Sequence, residues 1–147
     1  MDSFYYFGYA SNLDESTLKG RLRQAPKKVG AGILPHYGFR FNFPNPDGSA
    51  RANIIPSPNE SVYGILYEIS EEDRDYFLNS EPGYDFVTKE IFTHSGKVEA
   101  FTFISNNTVD GIFPSPEYWQ VIIKGGQENE IPNTYLSQIL NRVGRLE

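Results

Sequence analysis

Apolar and polar positions along this chain change from strand-like to helix-like spacing as it proceeds. Phe4 to Tyr9 is a dense aromatic run that gives way at once to Ala10-Ser11-Asn12, the pattern of a buried strand ending in a polar turn. Asn12-x-x-Glu15 has the form of a capping box, with Leu18 and Leu22 at i, i+4 on a short helix that Pro26 ends. Between Val29 and Phe43 the alternation is imperfect and holds Gly30, Gly32 and Gly38, which predicts bent or bulged strands around Pro35. Residues 44–49 form a loop. Ala52 to Ile55 is a short strand closed by Pro56-Ser57-Pro58, and Val62 to Ile69 is a separate strand, β-branched and aromatic enough to be covered on both faces.

Ser70 opens a helix whose first turn carries Glu71, Glu72 and Asp73, the charge its dipole favours, with Tyr76, Phe77 and Leu78 as its apolar side. It cannot continue through Pro82, so Glu81 stands at its exit in Ser80-Glu81-Pro82-Gly83-Tyr84. Phe86 to Thr93 and Lys97 to Ile104 are strands joined by a His94-Ser95-Gly96 hairpin turn. Ser115-Pro116 starts a helix with a Tyr118, Val121, Ile122 stripe, which Gly125-Gly126 stops. Pro132 opens the last helix, whose Tyr135, Leu136, Ile139, Leu140 and Val143 form one apolar face. Strands early and helices late indicate an α+β fold with a curved or barrel-like sheet.

Composition narrows the function. The 147 residues fit one domain, 1–147, long enough to bury a full core. Nineteen acidic against thirteen basic residues give a net charge of −6, which argues against a nucleic-acid partner and against an anionic membrane surface. The chain has no cysteine, so disulfides, thiolate metal sites and cysteine nucleophiles are excluded. Two histidines, His36 and His94, are too few for a multi-histidine metal site, and both read as surface residues. No apolar run is long enough for a membrane span, so the expected location is cytoplasmic.

Glu81 is the leading candidate for chemistry. Phe77, Tyr84 and Phe86 lie near it in sequence, and apolar neighbours lift a carboxyl group toward the range useful to a general acid/base. Glu71, Glu72, Asp73 and Asp75 read as a solvated helix face, and Glu15 as a cap. The amides of Ala10, Ser11 and Asn12, where the first strand stops, form a candidate anion cradle. Tyr118, on the first turn of its helix, has a hydroxyl that suits a carboxylate or an ammonium. Neither the P-loop nor the dinucleotide glycine spacing is present.

Taken together, these segments resemble the gamma-glutamylcyclotransferase family over nearly the whole chain. Tyr9-Ala10-Ser11-Asn12-Leu13 matches its Tyr-Gly-Ser-Asn loop after an N-terminal aromatic strand. Ala52-Asn53-Ile54 and Val62-Tyr63-Gly64-Ile65 match its Ala-x-Ile and Val-Trp-Gly-Val segments, and Glu81-Pro82-Gly83-Tyr84 stands where it has Glu-Gly. Pro114-Ser115-Pro116-Glu117-Tyr118 through Tyr135 matches its C-terminal pattern. The resemblance implies a small mixed β-barrel flanked by helices, with the site at one barrel mouth. It further implies cofactor-free cleavage of a gamma-glutamyl amide by attack of the substrate's own α-amine, giving 5-oxoproline and a free amine or amino acid, with a place in glutathione metabolism.

Carried over by position, Glu81 is the general acid/base, and Tyr9, Ala10, Ser11, Asn12 and Leu13 are the substrate loop. Tyr118 is a wall residue. Tyr84 and Phe86 compete for a tyrosine position after the glutamate, and Phe103 replaces a second pocket tyrosine. Ala10 departs from the usual glycine, which matters if that position needs positive φ, and Pro82 shifts the Glu-Gly pair by one. Arg40 and Arg51 are candidates for a second substrate carboxylate. The leaving amine is left open, and a homodimer is allowed but not required. The competing readings are an inert member that binds a small metabolite in the same pocket, and an interaction domain using its tyrosine-rich surface.

Overall fold

The computed structural model describes residues 2–144; residue 1 and residues 145–147 of the expected 1–147 domain lie outside it. Its strands are β1 (Ser3–Gly8), β2 (Lys27–Pro44), β3 (Ala50–Ser70), β4 (Asp85–Thr93) and β5 (Gly96–Ile104). They close into a barrel in the order β1-β3-β2-β4-β5. Every neighbouring pair is antiparallel except β1 with β5, which meet in parallel at Tyr6 and Phe101. Closure removes the free edges that an aromatic-rich sheet would otherwise expose to association. Four helices flank the barrel among the described residues: α1 (Glu15–Lys19), α2 (Arg74–Leu78), α3 (Pro116–Glu128) and α4 (Asn133–Leu140). None of the described helices is long and apolar enough to cross a membrane.

The aromatic run of β1 supplies one side of a ring cluster. Phe86 and Phe101 stack at 4.7 Å, Phe4 stands edge-on to both, and Tyr6 and Phe103 meet Phe77 edge-on at 4.8 and 5.4 Å. Such offset and edge-to-face contacts add to the burial of apolar area. Phe77 alone of the Tyr76, Phe77, Leu78 group is fully buried; Tyr76 is exposed.

Several local expectations are corrected by packing. The two strands expected on either side of Pro56-Ser57-Pro58 are one strand, β3. The pairing passes from Tyr37 opposite Pro56 to Pro35 opposite Ser61, so residues 57–60 swell out across from His36, whose φ is +66°. Pro58 is tolerated there because the bulge needs no ladder N–H from it.

The cap of α1 is Asp14 rather than Asn12: its carboxylate accepts from the Thr17 amide at 3.3 Å and the Thr17 hydroxyl at 2.7 Å. Asn12 instead lies in a 3-10 turn, Ser11–Leu13. The helix stops at Lys19, ahead of Leu22 and Pro26. Asp73, expected on a solvated face, is fully buried and accepts from the backbone amides of Arg23 at 3.3 Å and Gln24 at 3.1 Å. That tether fixes the path of the segment after α1.

The helix α3 does not stop at Gly125-Gly126 but runs through both. A Cβ on Gly125 would lie 2.5 Å from the Asp14 nitrogen, and one on Gly126 would lie 2.6 Å from Leu136 Cδ2. The glycine pair therefore serves close approach, to the loop after β1 on one side and to α4 on the other. Asn129 completes the clasp by donating to the Leu13 carbonyl at 2.8 Å.

Candidate functional site

The exit of α2 builds one wall of the site. The Tyr84 amide donates to the Glu81 carbonyl at 3.2 Å, and Gly83 between them has φ +90°. Proline at the second position and a left-handed glycine at the third make this a type II turn. Pro82 is therefore accommodated as a natural member of the turn that carries Glu81. A side chain at Gly83 would also meet the Phe43 ring, 2.7 Å from the ideal Cβ.

The turn is pinned from behind. Ser105 Oγ donates to the Gly83 carbonyl at 2.7 Å, and the Ser105 backbone exchanges bonds of 2.9 and 3.0 Å with the Asn53 side chain. Asn53 is fully buried, which makes this reciprocal pairing necessary for its amide.

The opposite wall is the turn after β1. Leu13 donates to the Ala10 carbonyl at 2.9 Å, and the chain then hands over to α1. Ser11 and Asn12 open that turn, where amides have no acceptor within the turn itself. Ala10 has φ −132°, so this position does not take the positive φ that would call for glycine. Asn12 donates from Nδ2 to the Tyr6 hydroxyl at 2.8 Å, while its buried Oδ1 has no partner.

Between the walls, β3 presents Arg51 and Ala52. A bulge in β2 at Asn42 sets Arg51 opposite Phe43 and Ala52 opposite Phe41. Both backbone groups of Ala52 are taken by tyrosines: its N–H donates to the Tyr118 hydroxyl at 3.0 Å, and its carbonyl accepts from the Tyr84 hydroxyl at 2.5 Å. Tyr9 is braced likewise, donating to the Phe103 carbonyl at 2.6 Å. Burial pushes Tyr6 up to about 12 and raises Tyr9, Tyr84 and Tyr118 as well. At neutral pH these phenols are uncharged hydrogen-bonding groups.

Glu81 lies on the cleft with 6% of its surface exposed. Arg21 ion-pairs with its Oε1 and Arg51 with its Oε2. This overturns the expected apolar setting: two guanidinium groups hold the carboxylate. The Arg51 guanidinium also lies 5.3 Å from the centre of the Tyr84 ring and 5.8 Å from that of Phe43, within cation–π range.

The resulting cleft is narrow and is lined by Glu81, Tyr9, Ala10, Ser11, Asn12, Tyr84, Tyr118, Tyr6, Arg51, Ala52 and Phe103. Of Glu81, the loop residues 9–13, Tyr84 and Tyr118, all but Leu13 line it. Leu13 is fully buried beneath the loop, against Gly125 of α3. Tyr84, not Phe86, faces the cleft; Phe86 belongs to the ring cluster. Arg40 is engaged by Glu60, at 2.7 and 3.0 Å.

Sequence reasoning missed Arg21 and Tyr6 as site residues. Tyr6 is masked by its aromatic neighbours in β1, and nothing local distinguishes Arg21 from a solvated residue past a helix end. Among the described residues, no three His, Asp or Glu side chains gather as metal ligands would.

Comparison with known proteins adds to this geometry. Residues 61–139 match the AIG2-like family. The chain is 27% identical over 150 residues to the gamma-glutamylcyclotransferase of Bos taurus, covering 94% of this chain and 78% of that one. It is 26% identical over 151 residues to the Homo sapiens gamma-glutamylcyclotransferase, with the same coverage. A solved gamma-glutamyl cyclotransferase structure superimposes with a TM-score of 0.89 at 20% identity, over 99% of this chain and 91% of that one.

Proposed function

The chain belongs to the AIG2-like family, and from that premise we propose that its cleft carries out gamma-glutamylcyclotransferase chemistry. The names of its relatives support that general activity. The proposed substrate is a small gamma-glutamyl amide, and the products are 5-oxoproline and the freed amine. The observation that carries the reading is that a buried carboxylate, Glu81, shares one small cleft with the turn of Ser11 and Asn12.

In this reading the substrate supplies its own nucleophile. The cleft folds the glutamyl chain so that its α-amine nitrogen attacks the γ-carbonyl carbon, and the gain comes from holding the two atoms in reacting geometry. Glu81 takes the proton released from the amine as the ring C–N bond forms. The carbonyl oxygen becomes an oxyanion, for which the amides after Ala10 are suitable donors. When the oxyanion collapses, the original amide C–N bond breaks and Glu81 returns its proton to the departing nitrogen. No water is consumed and Glu81 is restored. The unpartnered Oδ1 of Asn12 suits the α-amine as an acceptor, orienting it before attack.

The test is to incubate the protein with a panel of gamma-glutamyl amino acids and gamma-glutamyl amines and to measure 5-oxoproline. Product from at least one member is expected; silence across the panel overturns the reading. The second reading, a metabolite binder without turnover, draws on the two arginines that occupy Glu81. Saturable binding of the same compounds with no 5-oxoproline would favour it.

A further inference from the structure

Both oxygens of Glu81 carry a guanidinium, which crowds the approach of an amine to either one. Turnover therefore asks one arginine to leave. The two are held differently. Arg51 projects from β3 and packs on the rings of Tyr84 and Phe43 as well as on Glu81. Arg21 follows the short helix α1, and among the described residues its guanidinium bonds to Glu81 alone. Arg21 is thus the one that can be drawn away without dismantling the wall.

Its surroundings say what would draw it. Arg21 lines an outer groove with Thr17, Asn45, Asp47 and Ser49, where the Asp47 carboxylate accepts from the Ser49 amide and hydroxyl at 2.9 and 2.6 Å, and this groove shares Ser11, Arg51 and Tyr118 with the cleft. The groove is the mouth of the site, where the leaving portion of a gamma-glutamyl compound can extend once the glutamyl group is seated. The groove on the other side of Glu81 offers only a committed cation: Arg74 pairs with Glu71 at 3.0 Å and sits over the Phe101 ring at 4.7 Å.

We infer that Arg21 is a specificity-determining residue that exchanges Glu81 for a carboxylate on the substrate's leaving amine. The inference rests on the reaction proposed above. An anionic leaving group then does two things at once: it gains a charge-assisted partner, and it frees Glu81 Oε1 to accept the amine proton. A gamma-glutamyl amine lacking that carboxylate fits the inner cleft equally well but leaves Arg21 on Glu81.

The experiment compares gamma-glutamylalanine with gamma-glutamylethylamine, which differ by that one carboxylate, by 5-oxoproline release. Wild-type protein is expected to favour gamma-glutamylalanine in kcat/KM on the order of 100-fold, the scale of charge-assisted recognition. In Arg21→Leu the preference should shrink to less than about 5-fold, because turnover of the alanine compound falls while that of the ethylamine compound rises. Arg21→Lys should keep most of the preference.

A purely structural role for Arg21 would lower both rates together, and that result overturns the inference. Equal efficiency of the two substrates with wild-type protein also overturns it, without any variant, and leaves the reaction standing. No 5-oxoproline from either compound, or from the wider panel, overturns the reaction and the inference with it.

Discussion

Two glutamates of this protein are each held by two arginines, yet they sit in opposite settings. Glu60, in the bulge of β3, takes a forked contact from Arg40 at 2.7 and 3.0 Å, a bond from the Ser57 hydroxyl at 2.6 Å and a longer one from Arg142 at 3.4 Å. Its side chain is 30% exposed. Glu81 has a side chain only 7% exposed and takes a separate guanidinium on each oxygen, at the wall of a cleft.

The difference lies in geometry and burial, not in the types of charge present. A fork from one rigid guanidinium locks Glu60 into a surface brace of modest worth. Glu81 instead has two independent partners from different elements, and the exchange inferred for Arg21 breaks one of these contacts and keeps the other.

The sharpest way to separate the two is to neutralise each in turn. Glu81→Gln is expected to lower 5-oxoproline formation by about three orders of magnitude, within the range for loss of a general acid/base. Glu60→Gln should leave turnover within about twofold and cost about 0.5–1 kcal/mol in denaturant unfolding, as partly exposed pairs do. Comparable loss of turnover in both variants would erase the distinction.

A second expectation concerns the loop that faces Glu81 and has no counterpart at Glu60. Gly125→Ala sets a methyl against the Asp14 and Leu13 backbone and should cost about 1–3 kcal/mol, the usual penalty for overpacking. Turnover should fall with it, because the added methyl presses on the backbone of the turn that ends at Leu13. A variant of unchanged stability and activity would show that this contact does not hold the turn in place.

The smallest expected effect is in the pH dependence of stability. The bonds from Arg40, with help from Ser57, hold the Glu60 carboxyl down at about 2, against an ordinary 4.5. A depressed carboxyl contributes stability that is present above its unfolded value and is lost as pH falls through its folded one. Wild-type stability should therefore decline between about pH 4.5 and 2, and that decline should be shallower in Glu60→Gln, as followed by circular dichroism.

The parts of the site that were legible in the sequence are those that local chemistry marks. Glu81-Pro82-Gly83-Tyr84 reads as a turn because proline and glycine have backbone preferences that no other residues share. The polar end of the β1 aromatic run is equally visible, and so is the Ser115-Pro116 start of α3. What could not be read are relations between distant segments. Asn12 looks like a cap until Asp14 is seen in that role. Asp73 looks solvated until the Arg23 and Gln24 amides are found on it. Gly125-Gly126 looks like a helix stop until the packing beside it shows what a side chain would strike.

The sequence by itself determined the strand-to-helix order, the turn that carries Glu81 and the family the chain resembles, because periodicity, turn residues and motif order are properties of neighbours along a chain. Only the tertiary structure decided what surrounds Glu81. Barrel closure, the β2 bulge and the Asp73 tether bring two arginines from different elements onto one carboxylate. Such an encounter leaves no local trace, because either arginine alone is chemically at home in solvent.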